Sequence, residues 1–283
     1  MKTQLKNKDS ITKIIREMSL EEKLILLTGD TTFRGGKNDV HGIPAPLLLD
    51  GGTGFNTKQM KLETLFNAYE KVNGSCNREK LTEPLAAFGL STTLFAKISQ
   101  DVLDDDCRDM KAYSEELMDE TRPADTPLGC FPPGILLGAT MDPETVRQCG
   151  EALGREACAC HIDVLLGSPN VNLHRDPLNG RLFEGYSEDP CLVSALAPSF
   201  VQGVQSTGVI ANVKHFAANN QETDRMGVNE IISERALREL YLPGFQACVE
   251  GGCKSVMTAY NKINGIPCAQ NSWLIKDVLR AEW

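Results

Sequence analysis

Several side chains able to do chemistry stand where short apolar runs stop. Asp50 closes Pro46-Leu47-Leu48-Leu49, and Lys214-His215 follow Val209-Ile210-Ala211-Asn212-Val213. Tyr260-Asn261 follow Ser255-Val256-Met257-Thr258-Ala259, and Arg181 closes a polar loop that begins at Asn172. A short apolar run ending in a polar group reads as a buried strand opening into a loop. If those strands are parallel, their ends gather at one mouth. A mouth lined by a carboxylate, Arg, Lys, His and Tyr offers many donors and acceptors on rigid supports. That suits a polyhydroxylated ligand, each of whose hydroxyls both donates and accepts.

Every one of these residues also has a plainer reading. Asp50 precedes Gly51-Gly52 and is a turn former. A single His at a strand end is commonly a satisfied structural residue. Arg225 has Glu222 and Asp224 near it as surface partners, and Tyr260 reads equally as a core ring with a satisfied hydroxyl. Lys214 beside His215 is harder to dismiss, because two adjacent groups able to carry positive charge are costly to bury. The functional reading rests on the joint placement.

The elements that must position these groups alternate along the chain. Residues 10–27 read as two short helices parted at Ser19, with Glu22 three residues on and apolar positions at Ile11, Ile14, Ile15, Met18, Leu24 and Leu27. After the first strand, residues of about 56–126 turn polar and charged. Helical patterns near 62–69 and 94–118 mark them as a mainly helical insertion, and the acidic run at 104–106 reads as a solvated helix face in preference to a calcium site. Gly134-Ile135-Leu136-Leu137-Gly138 is read as a second strand. Asp142-Pro143-Glu144 opens a helix with Val146, Cys149, Leu153 and Ala157 on its buried stripe. Strands are then expected at Asp163, Val209, Asn229 and Ser255. Helices are expected from Ser187-Glu188-Asp189-Pro190 to about Gln205, after Ser233-Glu234 with a break or kink at Pro243, and after Asn271-Ser272 with Leu274, Ile275, Val278 and Leu279 on one face.

Strand–helix alternation with no hairpin signal predicts an α/β fold with a parallel sheet. No G-x-G-x-x-G follows a strand and no phosphate-binding G-x-x-x-x-G-K is present, so a barrel is favoured over a nucleotide-binding open sheet and no cofactor is expected. Six strand–helix units are read, where a closed barrel of this type has eight. The expectation is a single, incomplete TIM-like (β/α) barrel domain over 1–283, with a helical lead-in over 1–42.

Composition removes other classes. The formal charge of −9 disfavours nucleic acid as a partner. No apolar stretch is long enough for a membrane span, and the polar N-terminal residues do not read as a secretory signal. The ten cysteines include no C-x-x-C pair, and Cys158-Ala159-Cys160-His161 lacks a second ligand pair. Reduced thiols, no metal and a cytoplasmic location are therefore expected.

Four ordered motifs carry a family resemblance. Gly180-Arg181-Leu182-Phe183-Glu184-Gly185-Tyr186-Ser187-Glu188-Asp189-Pro190 is similar to the signature loop of family 3 glycoside hydrolases. So are Val213-Lys214-His215-Phe216-Ala217-Ala218-Asn219-Asn220-Gln221-Glu222, Ser233-Glu234-Arg235-Ala236-Leu237-Arg238-Glu239, and Val256-Met257-Thr258-Ala259-Tyr260-Asn261-Lys262-Ile263-Asn264-Gly265. The resemblance is close over about 127–283 and looser over 43–54. It implies hydrolysis of terminal β-linked sugars with retention, through a covalent intermediate and two carboxyl groups roughly 5 Å apart. It implies that Asp50 accepts from two outer sugar hydroxyls, that Arg181, Lys214, His215 and Arg225 surround the ring, and that Met257 and Tyr260 pack near the reacting carbon. The attacking Asp is expected beyond Trp283. The acid/base group is expected in a C-terminal domain that these residues do not include, with that part as a separate chain among the expected partners.

The resemblance also chooses a branch. Members acting on N-acetylglucosamine usually carry Pro-Gly-His-Gly after Lys-His-Phe, whereas Ala217-Ala218-Asn219-Asn220 stands here, which points to β-glucosides or β-xylosides. Asp50-Gly51-Gly52 departs from the family's usual Asp-Gly-Pro and loses proline's fixed backbone. Two other readings stay open: a non-catalytic carbohydrate-binding or scaffold remnant, and a different barrel enzyme in which Asp50, Glu184 or Glu222 is the catalytic carboxylate.

Overall fold

A computed structural model describes residues 2–29, 34–55 and 128–283. They belong to one of the two units into which the chain divides; the expected helical insertion and the acidic run at 104–106 lie outside the described residues. Two helices open the chain, α1 (Lys8–Glu17) and α2 (Leu20–Leu27). Ser19 parts them as expected: its hydroxyl accepts from Glu22 N, and the Glu22 carboxylate accepts from Ser19 N. Ile14 and Met18 are buried, whereas Ile11, Ile15, Leu24 and Leu27 face outward.

The described strands are β1 (Leu48–Asp50), β2 (Val164–Asn170), β3 (Ile210–Phe216), β4 (Asn229–Glu230), β5 (Ser255–Thr258), β6 (Lys262–Ile263) and β7 (Ile266–Pro267). A parallel sheet runs in the order β1-β2-β3-β5, with Asp50 beside Leu166, Leu166 beside Asn212 and Asn212 beside Ser255. Leu49, Leu165, Ala211 and Val213 are buried in it. Helix α3 (Gly134–Thr140) precedes α4 (Pro143–Ala159), which packs on α5 (Pro190–Gln205); α6 (Pro243–Glu250) packs on α5 in turn. The Phe216 ring meets Phe245 of α6 edge-on, with ring centres 5.0 Å apart. The α/β class and parallel sheet are as expected, and the caps at Asp142 and Asp189 start their helices where the sequence places them. No helix among the described residues is long and apolar enough to cross a membrane.

The expected six units are not what the sheet contains: among the described residues it holds four parallel strands. The run at Gly134 is the helix α3, not a strand. Five apolar residues carry no period that separates the two states. Packing decides it: Gly134 and Gly138, four apart, share one helix face, and a Cβ on either would overlap the backbone carbonyl of Glu184 or Tyr186. The pair at Asn229 leaves the main sheet and joins β6 and β7 in a small ribbon. The reading that the chain holds no hairpin is also corrected. Asn264-Gly265, with φ of 50° and 87°, turns β6 into antiparallel β7. Pro243 does break its helix: the stretch begun at Glu234 widens over Leu237–Tyr241, and α6 starts afresh with the proline at its first position.

The glycine face of α3 gives a stability test. Gly138→Val is expected to lower stability by about 1–3 kcal/mol in urea unfolding, since the added carbons press on the Tyr186 carbonyl. Gly180→Ala, where nothing lies within 4 Å, is expected to change it by less than about 0.5 kcal/mol.

Candidate functional site

Asp50 ends β1, Lys214 lies on β3, and β2 runs between them. The Lys214 side chain is 4% exposed, so its ammonium needs close anionic partners. It reaches them because β2 carries Gly167, with φ of +92°, at the crossing point. A Cβ there would overlap Lys214 Nζ and come within 2.8 Å of Asp50 Oδ1. Lys214 Nζ donates to Asp50 Oδ1 at 2.9 Å and stands 3.8 Å from Glu184 Oε2.

Glu184 lies on the single helical turn Leu182–Glu184, against which α3 is pressed. Arg181 grips it with both prongs, Nε to Oε1 at 2.7 Å and Nη2 to Oε2 at 2.6 Å. Arg181 Nη1 is 3.7 Å from Glu222 Oε1, and Glu222 Oε2 accepts from Arg225 Nη1 at 2.8 Å. The Arg225 guanidinium lies 5.3 Å from the centre of the Tyr260 ring, a cation–π distance. Asp50, Lys214, Glu184, Arg181, Glu222 and Arg225 thus form a chain of alternating sign whose formal charges sum to zero. Burial works against the Arg181 charge, yet the bonds to Glu184 and the nearby carboxylates hold its pKa above the ordinary value.

His215 sits behind this chain at 4% exposure. Its Nε2 is 3.1 Å from Arg181 Nη1. Burial first, then the charges of Arg181, Lys214 and Arg225, push its pKa down to about 2, so the ring is neutral. Asn172 holds His215 by backbone and ring, with Oδ1 accepting from His215 N at 2.9 Å and standing 3.1 Å from Nδ1.

Of the residues expected from sequence, Asp50, Arg181, Lys214, His215, Arg225 and Tyr260 come together. Met257 lies on β5 between the Val213–Val256 and Phe216–Thr258 pairs, opposite the Lys214-His215 stretch of β3. Arg225 does pair with Glu222, one of the plain partners, and that pairing is what links it to Arg181. Tyr260 is 56% exposed and is not a core ring. From sequence Glu184 reads as a candidate catalytic carboxylate, and Glu222 as either that or a surface partner of Arg225; here each is shared between cations. Asn172 and Gly167 are site residues that the sequence reading does not name as such. For Asn172 a signal existed, since Asn170-Val171-Asn172 places two amides just where an apolar strand ends. The ribbon fixes the outer rim: Asn264 bonds Ile232 through both backbone groups at 3.0 and 2.8 Å, tying the segment after Arg225 to the one after Tyr260.

Residues 120–283 match the family model for the N-terminal domain of glycosyl hydrolase family 3. A β-glucosidase of Rhizobium radiobacter is 51% identical over 155 residues, which are 54% of this chain and 19% of that protein. An exo-α-(1→6)-L-arabinopyranosidase of Bifidobacterium longum is 50% identical over 158 residues, 56% of this chain and 21% of that protein. The chain spans about a fifth of the length of these curated relatives. Among solved structures, β-glucosidase 3B from Thermotoga neapolitana in complex with glucose aligns with a TM-score of 0.69 at 35% identity, over 96% of this chain and 32% of that one.

The neutral His215 has a consequence for acid stability. Below about pH 6.5 the unfolded imidazole takes a proton that the folded one, with its pKa near 2, refuses. Stability therefore falls as pH drops from there, at about 1.4 kcal/mol per pH unit. Unfolding free energies from urea melts at about pH 6.5 and 5 are expected to differ by roughly 2 kcal/mol, and His215→Asn to flatten that slope. An unchanged slope in the variant would assign the loss to other groups.

Proposed function

The chain belongs to glycosyl hydrolase family 3, and on that footing we propose that it supplies the sugar-holding wall of a retaining glycosidase acting on terminal β-glucosidic or β-xylosidic bonds. The observation that carries this reading is the alternating chain of charges that joins the end of β1, Lys214 of β3 and the loops after β2 and β3. Neighbouring hydroxyls of a pyranose each donate one hydrogen and accept another. A wall that alternates carboxylate and cation offers an acceptor and then a donor at similar spacing, and charge-assisted bonds of this kind fix a ring firmly. Asp50, partly exposed, takes the outer hydroxyls. Lys214, Arg181, His215 and Arg225 surround the ring, and Met257 and Tyr260 face the reacting carbon. In this reading these residues form the wall that holds the sugar, His215 from behind Arg181, and the attacking Asp and the acid/base group lie elsewhere in the protein.

The sheet then forms part of a TIM-like barrel, a reading supported by the 96% coverage against the Thermotoga neapolitana enzyme. No cofactor or metal is invoked. A cytoplasmic protein is supported by the thiols, since the eight described cysteines are all free. The ligand's identity has a second candidate. The glucosidase and arabinopyranosidase relatives differ by only one percentage point in identity, 51% against 50%, so overall similarity does not choose between glucose and L-arabinose.

Calorimetric titration of the purified chain with glucose, xylose and L-arabinose tests the proposal and ranks the three. Saturable heat is expected with at least one sugar, and Asp50→Asn is expected to weaken that sugar by tenfold or more, roughly the loss of a charge-assisted bond. If no monosaccharide binds, or if binding survives Asp50→Asn and Arg181→Lys unchanged, the sugar-holding wall is the wrong reading.

A further inference from the structure

We infer that Asn172 is a positioning residue that sets His215 in the Nδ1–H tautomer, so that its bare Nε2 braces the Arg181 guanidinium. The inference begins with the orientation of the Asn172 amide, which is forced. The His215 backbone N–H can only donate, and it meets Asn172 Oδ1 at 2.9 Å. The His215 carbonyl can only accept, and it meets Asn172 Nδ2 at 3.0 Å. Exchanging the amide's oxygen and nitrogen would break both bonds, so neither end of the amide is free to turn. The oxygen that accepts from the backbone also lies 3.1 Å from ring Nδ1. An amide oxygen only accepts, so Nδ1 carries the hydrogen.

The opposite side of the ring gives the same answer independently. Arg181 Nη1, 3.1 Å from Nε2, has hydrogens and no lone pair to offer. Nε2 must therefore be the bare nitrogen. Two neighbours on different segments, one purely accepting and one purely donating, assign the tautomer twice. Asn219 Nδ2, also facing Nδ1, is a donor, but it gives a hydrogen to Glu222 Oε1 at 3.1 Å and stands 3.5 Å from Nδ1, farther than the Asn172 oxygen at 3.1 Å. The charges of Arg181, Lys214 and Arg225 oppose a second proton on the ring, and the nearby Glu222 carboxylate is engaged by Asn219 and Arg225.

The consequence falls on Arg181. A guanidinium has five N–H bonds. Glu184 takes two of them and His215 Nε2 a third, leaving the remainder to face Glu222 and a ligand. Asn172 thus acts on Arg181 through His215 without approaching a ligand itself. The bearing of this brace on sugar binding rests on the reading above, whereas its test contains no sugar, so the two stand or fall separately.

Long-range proton–nitrogen correlation spectra of the ¹⁵N-labelled chain report the tautomer of each histidine, and His215→Gln identifies the signal that belongs to His215. A protonated Nδ1 and a bare Nε2 are expected at neutral pH. Asn172→Ala removes the acceptor that holds the hydrogen on Nδ1, and is expected to admit the Nε2–H form, in which the Arg181 contact is lost, and so to shift the Arg181 Nε resonance. Asn172→Asp keeps an oxygen at Nδ1 and is expected to restore the wild-type tautomer. A wild-type His215 found as Nε2–H or as imidazolium overturns the inference, as does a folded Asn172→Ala whose His215 and Arg181 signals are unmoved. Should the alanine variant not fold, the wild-type and aspartate spectra decide between the same two outcomes.

Discussion

The structure depends on a buried ammonium. Lys214 sits on the third strand of a parallel sheet with 4% of its side chain exposed, where an uncompensated charge is strongly disfavoured. Its two carboxylates come from far apart in sequence, Asp50 from the end of β1 and Glu184 from the loop after β2. Each of these then needs its own placement. Glu184 is held by the fork of Arg181, and Arg181 is shared with Glu222, which is shared with Arg225. Satisfying one buried cation thereby orders loops from across the mouth of the sheet.

That ordering works only because the backbone comes close at chosen points. Gly167 clears the path of Lys214 across β2, and α3 lays Gly134 and Gly138 against the carbonyls of Glu184 and Tyr186. The helix therefore supports the turn that carries Glu184, and the local geometry of an apolar five-residue stretch becomes a condition for charge pairing some distance away. A strand at that position would present alternate residues to opposite faces and lose the flat glycine face.

These dependencies explain what could be read from sequence. Asp50, Lys214, His215 and Tyr260 were legible because each terminates an apolar run, a signal contained within a few residues. The caps at Ser19, Asp142 and Asp189 were legible for the same reason. The strand reading at Gly134 failed because its five apolar residues have no distinguishing period, and the deciding contact is with residues some fifty positions downstream. The hairpin at Asn264-Gly265 has the right turn residues, but its strands are two residues each, too short to show alternation. Glu184 and Glu222 looked like candidate attacking groups because a carboxylate's sequence does not say which cations surround it. Only the folded arrangement shows both of them held between positive charges.

The exposure along the charged chain then separates what is fixed from what can exchange. Its interior members, Lys214, Glu184, Arg181 and Glu222, have side chains between 4% and 21% exposed, whereas Asp50 at one end and Arg225 at the other are 41% and 40% exposed. Exposed pairs contribute little to stability and trade partners with water readily, whereas buried charge-assisted bonds resist removal. Asp50 and Arg225 are thus the members open to water, yet the buried Lys214 ammonium still needs the Asp50 carboxylate, and the middle keeps its geometry. The two-pronged Arg181–Glu184 pair and the His215 brace behind it belong to that middle. Donors held in place before the ligand arrives need little reordering when it binds, which is where pre-organised sites gain their advantage over flexible ones.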